Sequence, residues 1–134
     1  MSLKSIPWGL FVIRAGIAGV LFWFGFQELL APEDWVGYVP DWIVSLGMLS
    51  SGAIVLLNGT LEVLCGILIL LGVFTRPAAL IMGLHLALIA LSLGNNATAV
   101  RDWGLAFASI GLALTGGGAL SLEYSSRFTT RVVP

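Results

Sequence analysis

A carboxylate stands in the middle of a stretch built to cross a lipid bilayer. From about Gly52 to Phe74 the chain is almost wholly apolar. Roughly 20 apolar residues rising ~1.5 Å each match a hydrocarbon core about 30 Å thick. Glu62 lies near the midpoint of that run. A carboxylate at that depth costs on the order of 3 kcal/mol on insertion scales, so it must face something polar or carry a proton. On a helix, Asn58, Glu62 and Cys65 share one face, with Gly59 and Gly66 beside them. The other segments must therefore supply helices that give Glu62 an inside to face.

Composition agrees with that reading. Of 134 residues, 58% are hydrophobic and 10% charged, with a mean hydropathy of +1.02, whereas a soluble domain carries about 25% charge. This predicts an all-α, multi-pass protein of the cell membrane whose first partner is the lipid bilayer. The length allows one domain, 1–134, of four spans with short loops. A net charge of −1 and the absence of a basic tract argue against nucleic acid as a partner. One cysteine allows neither an intramolecular disulfide nor a C-x-x-C pair. Lys4 followed by an apolar run imitates a signal peptide. The run continues to about Leu30, Arg14 interrupts it and no A-x-A site follows, so it is read as the first membrane helix.

Taken in order, the first helix is expected over 7–30, with Pro7 in its first turn and Pro32 at its stop. Arg14, Ala18, Leu21, Gly25 and Glu28 repeat at four, three, four, three and form one stripe, which should face protein because small residues let backbones approach. The longest connection, 31–51, is acidic and aromatic, with Glu33, Asp34, Asp41, Trp35, Tyr38 and Trp42. It is expected outside the membrane, as an interfacial anchor or a lid. A short interfacial helix can start there with Asp41 as N-cap. The second helix, 52–74, ends in Gly72-Val73-Phe74-Thr75-Arg76-Pro77, a turn short enough to make the third helix, 77–93, its antiparallel neighbour. In the third, Ala79, Gly83 and Ala87 make a small-residue stripe, with His85 roughly opposite. The fourth is expected over 101–120, with Arg101, Gly104, Ala108, Gly111 and Thr115 as its inward stripe and Gly116-Gly117-Gly118 fraying its end. The tail from Ser121 to Pro134 is short and polar.

Lys4, Arg76, Arg127 and Arg131 fall on one side of this four-span bundle, and only Arg101 on the other, which predicts cytoplasmic termini. Asn96-Ala97-Thr98 matches a glycosylation sequon close to the membrane on the outer side.

The candidate site is the polar cluster that these faces bury: Arg14, Glu28, Asn58, Glu62, His85, Arg101 and Asp102. The simplest pairing is Arg14 with Glu62 and Arg101 with Glu28; Arg101 can instead lean toward Glu62 through Asn58. Such a cluster is either architecture or the lining of a cavity for a polar headgroup, a quinone carbonyl or a small anion. An intramembrane carboxylate beside a cation and an imidazole can also pass protons. Cys65 reads as small packing, and one His with one Cys makes no ligand set, so no metal is expected. The aromatics Phe22, Trp23, Phe24 and Phe26 either face lipid or wall a flat ligand.

The chain resembles the DoxX-like family of small four-helix membrane proteins over nearly its whole length. The resemblance rests on Arg14 and Gly25, on Asn58-Gly59-x-x-Glu62-x-x-x-Gly66, on Leu71-Gly72-x-x-Thr75-Arg76-Pro77 and on Arg101-Asp102-x-x-Leu105. Glu28 stands where the family often has a lysine, in a Gly-x-x-Lys-Leu pattern. The resemblance implies four antiparallel membrane helices. Family members include a subunit of an archaeal thiosulfate–quinone oxidoreductase and proteins associated with bacterial redox defence; a more distant animal relative assists receptor assembly. Two readings follow. One is a membrane subunit of a quinone- or thiol-linked redox system, with quinone or lipid as the ligand of the polar site. The other is a non-enzymatic chaperone or assembly factor that binds partner transmembrane helices. A membrane protein partner and a homo-oligomer both fit, and the residues do not decide whether the chain is itself an enzyme.

Overall fold

The computed structural model describes residues 5–123. Lys4, Arg127 and Arg131, on which the expected orientation partly rests, lie outside the described residues, as does the tail from residue 124 on. The order is α1 (Ile6–Leu30), two 3-10 turns (Pro32–Asp34 and Val36–Tyr38), α2 (Asp41–Val44), α3 (Ser51–Leu71), α4 (Thr75–Leu93) and α5 (Ala97–Thr115). α1, α3 and α4 are long and apolar enough to cross a membrane. They correspond to the first three expected helices, and α5 to the fourth.

Local chemistry explains the ends. Pro7 sits in the first turn of α1, where its missing N–H costs nothing. Ser50 caps α3 by accepting from Ala53 N at 3.3 Å. Gly72, at φ 68°, closes α3 in the left-handed conformation, with Val73 N donating to Leu68 O at 3.0 Å. α5 starts earlier than expected because Asn96 Oδ1 caps it, accepting from Ala99 N at 2.8 Å. It stops at Thr115 rather than near Leu120, since Gly116 takes φ 89°. Asp41 is the first residue of α2 rather than its cap; Pro40 holds that place.

The long helices alternate in direction. Ala119 N, just past α5, donates to Pro7 O at the start of α1 (2.9 Å), and Glu123 N donates to Gly72 O after α3 (3.2 Å). The closest packing joins α1 to α3 and α4 to α5; α3 and α4, although joined by a three-residue turn, touch less. Ile17, Leu21, Ile69, Met82, Leu86 and Leu112 form the core where the pairs meet, with Cys65 among them. Val12, Trp23, Leu64, Leu84, Leu91 and Phe107 are exposed, as lipid-facing side chains should be.

The small-residue stripes mark where helices approach. On α1, Arg14, Ala18, Leu21, Gly25 and Glu28 are all buried. On α4, a Cβ added at Gly83 would come within 3.2 Å of Ala106 O on α5. The stripe expected on α5 is a correction. Arg101, Gly104, Gly111 and Thr115 are exposed, Ala108 is half-buried, and the buried face is Ala99, Asp102, Ala106, Ser109 and Leu112. The helix is turned by about one residue, ~100°. This orientation buries Asp102 and turns Phe107 and Leu114 outward, while the long Arg101 side chain reaches round to the inside.

Candidate functional site

The site begins with two glycines. A Cβ added at Gly59 would sit 2.8 Å from Gly25 O, and one at Gly25 would sit 3.0 Å from Gly59 O. The backbones of α1 and α3 therefore touch, and Glu28, one turn from Gly25, is brought against Asn58, the residue beside Gly59. Glu28 on α1 meets Asn58 on α3, whose Nδ2 donates to Glu28 Oε2 at 2.6 Å and to Glu62 Oε1 at 3.4 Å. Both carboxylates are buried, and the Asn58 amide holds them together. Its other side is used as well: His85 Nε2 on α4 hydrogen-bonds Asn58 Oδ1. The oxygen can only accept, so Nε2 carries the hydrogen.

Glu62 Oε2 is buried with no partner among the described residues. A buried polar atom left unpaired costs about 1–3 kcal/mol.

On the facing side, Arg101 Nε and Nη2 donate to Asp102 Oδ1 at 2.8 and 2.7 Å. The Arg101 guanidinium carbon lies 4.2 Å from the centre of the Phe24 ring, a cation–π contact that closes α5 against α1. Arg101 thus pairs with its chain neighbour and not with Glu28.

These groups line a cavity of about 500 Å³, a size typical of small-molecule sites. Its polar side is Glu28, Asn58, Glu62, His85, Arg101 and Asp102. Its walls are apolar, with Leu21, Phe24, Leu61, Leu86 and Leu105 among them. Trp35, Tyr38, Pro40, Ile43 and Leu49 of the segment between α1 and α3 line one end of it. Trp35 meets Phe24 edge-on, with ring centres 5.7 Å apart, and Tyr38 at 5.6 Å. Six of the seven expected site residues converge here.

Arg14 is elsewhere. It is fully buried near the opposite end of the bundle, where Nη1 donates to Gly117 O at 2.6 Å and Nη2 to Leu120 O at 3.0 Å. Glu123, within electrostatic range of Arg14, accepts from Thr75 N at 3.2 Å. The arginine ties the segment after α5 to α1, and the expected Arg14–Glu62 pair does not form. The apolar core separates the two polar ends.

Other side chains account for themselves. Cys65 is buried among core apolar residues. Asn96 spends its amide on the helix end, with Nδ2 donating to Leu93 O at 3.0 Å. Among the described residues no group of three or more His, Cys, Asp or Glu is placed to hold a metal ion. Sequence reasoning did not pick out Leu57, Leu61, Leu88 and Ile89 as cavity residues, because apolar side chains in an apolar helix carry no distinguishing signal.

Comparison with known proteins returns one family. The model of the family described as DoxX matches residues 9–95, which take in most of α1, the segment between α1 and α3, α3 and α4. No curated protein and no solved structure matches the chain.

Proposed function

Since the chain belongs to the DoxX family, a family of membrane proteins, we propose that it is the ligand-binding membrane subunit of a quinone-linked redox system. In this reading α5 is the fourth span and both termini are cytoplasmic. Arg76 at one end of the bundle and Glu33, Asp34 and Asp41 at the other support that orientation. The observation that carries the reading is the amphipathic cavity: apolar and aromatic walls around a few convergent polar groups, one of which, Glu62 Oε2, lacks a partner. A quinone ring fits such a site, against the aromatic and apolar walls with an oxygen toward the polar side.

When bound, a quinone supplies the electron-accepting and proton-accepting chemistry. The residues of this chain have narrower tasks. Asn58 fixes Glu28 and Glu62 in one geometry. His85 fixes the Asn58 amide. Glu62 holds or releases a proton at Oε2. The outer segment keeps water from the polar side. A single cysteine cannot form a dithiol, so a thiol-linked version needs thiols from a partner.

A second reading has its own support. Gly104, Ala108, Gly111 and Thr115 form an outward face of α5, and nothing lies within 4 Å of a Cβ added at Gly104 or Gly111. Small-xxx-small faces let transmembrane helices approach closely, which suits an assembly factor, or a subunit that docks on a catalytic partner.

The test is mass spectrometry of small molecules that copurify in mild detergent, with titration of decylubiquinone into parent and Glu62→Gln protein. A quinone retained by the parent and lost in the variant is expected. Bulk lipid alone in both samples, with no saturable decylubiquinone binding, would move the weight to the assembly reading.

A further inference from the structure

One side of the cavity is closed only in part. α1 and α3 are sealed together at Gly25 and Gly59. α4 and α5 meet at Gly83 and Ala106. α5 is closed against α1 by Arg101 over the Phe24 ring. The end toward the 31–50 segment is lined by Trp35, Tyr38, Pro40, Ile43 and Leu49, of which Tyr38 and Leu49 are themselves exposed. There remains the line between α3 and α4, which pack more on other helices than on each other.

Leu57 on α3 and Leu88 on α4 both line the cavity, yet they are 57% and 47% exposed. A side chain that belongs at once to a cavity wall and to the outer surface marks a mouth. Both residues lie inside helices long and apolar enough to cross a membrane. At ~1.5 Å per residue, Leu57 is roughly 9 Å in from the start of α3 and Leu88 roughly 8 Å from the end of α4. The mouth therefore opens below the helix ends, onto hydrocarbon. Leu61 and Ile89 extend its walls. Ser92 also lines it, but its hydroxyl donates to Leu88 O at 2.9 Å, so the helix backbone already uses the one hydroxyl there. The inner margin is the hydrogen bond between Asn58 and His85, which ties α3 to α4.

We propose that the ligand of this cavity is an amphiphile that enters from the bilayer between α3 and α4, and that its hydrocarbon chain rests in that cleft when the polar head meets Asn58 and Glu62. The proposal rests on the quinone reading above and adds to it the route and the tail subsite. It makes Leu57, Leu61, Leu88 and Ile89 the residues that select a chain-bearing ligand. A polar head on a chain of isoprenoid or alkyl type satisfies both parts of the site. A small water-soluble anion satisfies only the polar part.

The test uses full-length protein in liposomes and two photoreactive ubiquinone analogues, one with an azide on the ring and one with a diazirine on the alkyl chain. Labelled residues are mapped by mass spectrometry, with and without excess decylubiquinone. The expected result is ring label on Asn58, Glu62 or their neighbours and chain label on Leu57, Leu61, Leu88 or Ile89, both competed away. Ring label at the same place with chain label on the outer segment 35–49, or on α1 and α5, overturns the route while leaving the quinone reading intact. No competable label from either probe overturns the quinone reading itself, and the route with it.

Discussion

Replacing Gly59 by alanine tests the contact on which the site is built. The new Cβ would lie 2.8 Å from Gly25 O, 3.0 Å from Glu28 Cβ and 3.2 Å from Leu29 Cγ. A carbon–oxygen contact settles no closer than about 3.3 Å, so α1 must yield by roughly 0.5 Å. The nearest atom is backbone, which cannot rotate away. Overpacking of this kind costs about 1–3 kcal/mol. Alanine also returns up to about 1 kcal/mol of helix propensity relative to glycine. Gly104→Ala supplies that gain without the clash, because nothing lies within 4 Å of its Cβ. The difference between the two variants therefore isolates the contact, and it should be about 1–3 kcal/mol, or roughly a fivefold to hundredfold change in the folded ratio. The assay is reversible unfolding of the full-length protein in mixed micelles, followed by circular dichroism. Gly59→Ala should also loosen Glu28 from Asn58 and weaken decylubiquinone binding, while Gly104→Ala should not. If both variants shift stability in the same direction by the same amount, the Gly25–Gly59 crossing is wrong and the placement of Glu28 beside Asn58 falls with it.

Three further outcomes follow from the hydrogen bonds. Arg14→Met removes two charge-assisted bonds to Gly117 O and Leu120 O. It should destabilise the protein by about 2–4 kcal/mol and speed proteolytic cleavage after α5, with quinone binding unchanged in the protein that remains folded. Asn58→Leu strips Glu28 and His85 of a shared partner; a loss of about 2–4 kcal/mol in the same unfolding assay is expected, and a neutral result would mean that the carboxylates are held some other way. Arg101→Gln leaves Asp102 buried without its cation. Because the Arg101 side chain is 40% exposed, the cost should be about 1–2 kcal/mol, below the range of a fully buried pair, and Arg101→Lys should recover only part of it, since a point charge replaces the planar fork over Phe24.

Much of the architecture was written along the chain. Apolar runs long enough to span, the glycine-led turn at Gly72 and the proline limits of α1 are local properties, and a helix satisfies its own backbone wherever it sits. The stripe from Arg14 to Glu28 was legible for the same reason: two charges and a glycine on one face of an apolar helix have few places to go. The close approach at Gly59 was foreshadowed by its place beside Glu62.

What the chain alone left open was decided by packing. On α5 the series beginning at Arg101 and the one beginning at Asp102 have nearly the same spacing, and they differ by a rotation of about 100° that periodicity cannot resolve. Only contact with α4 selects Asp102 for the inside. Pairing was undetermined as well, because arginine reaches several ångströms along or around a helix. Depth along the bundle suggested Glu62 for Arg14, yet two carbonyls freed by the glycines after α5 lie nearer and need donors. The cavity itself has no sequence signature: it exists because α3 and α4 each pack more tightly on another helix, and such a preference is a property of four surfaces taken together.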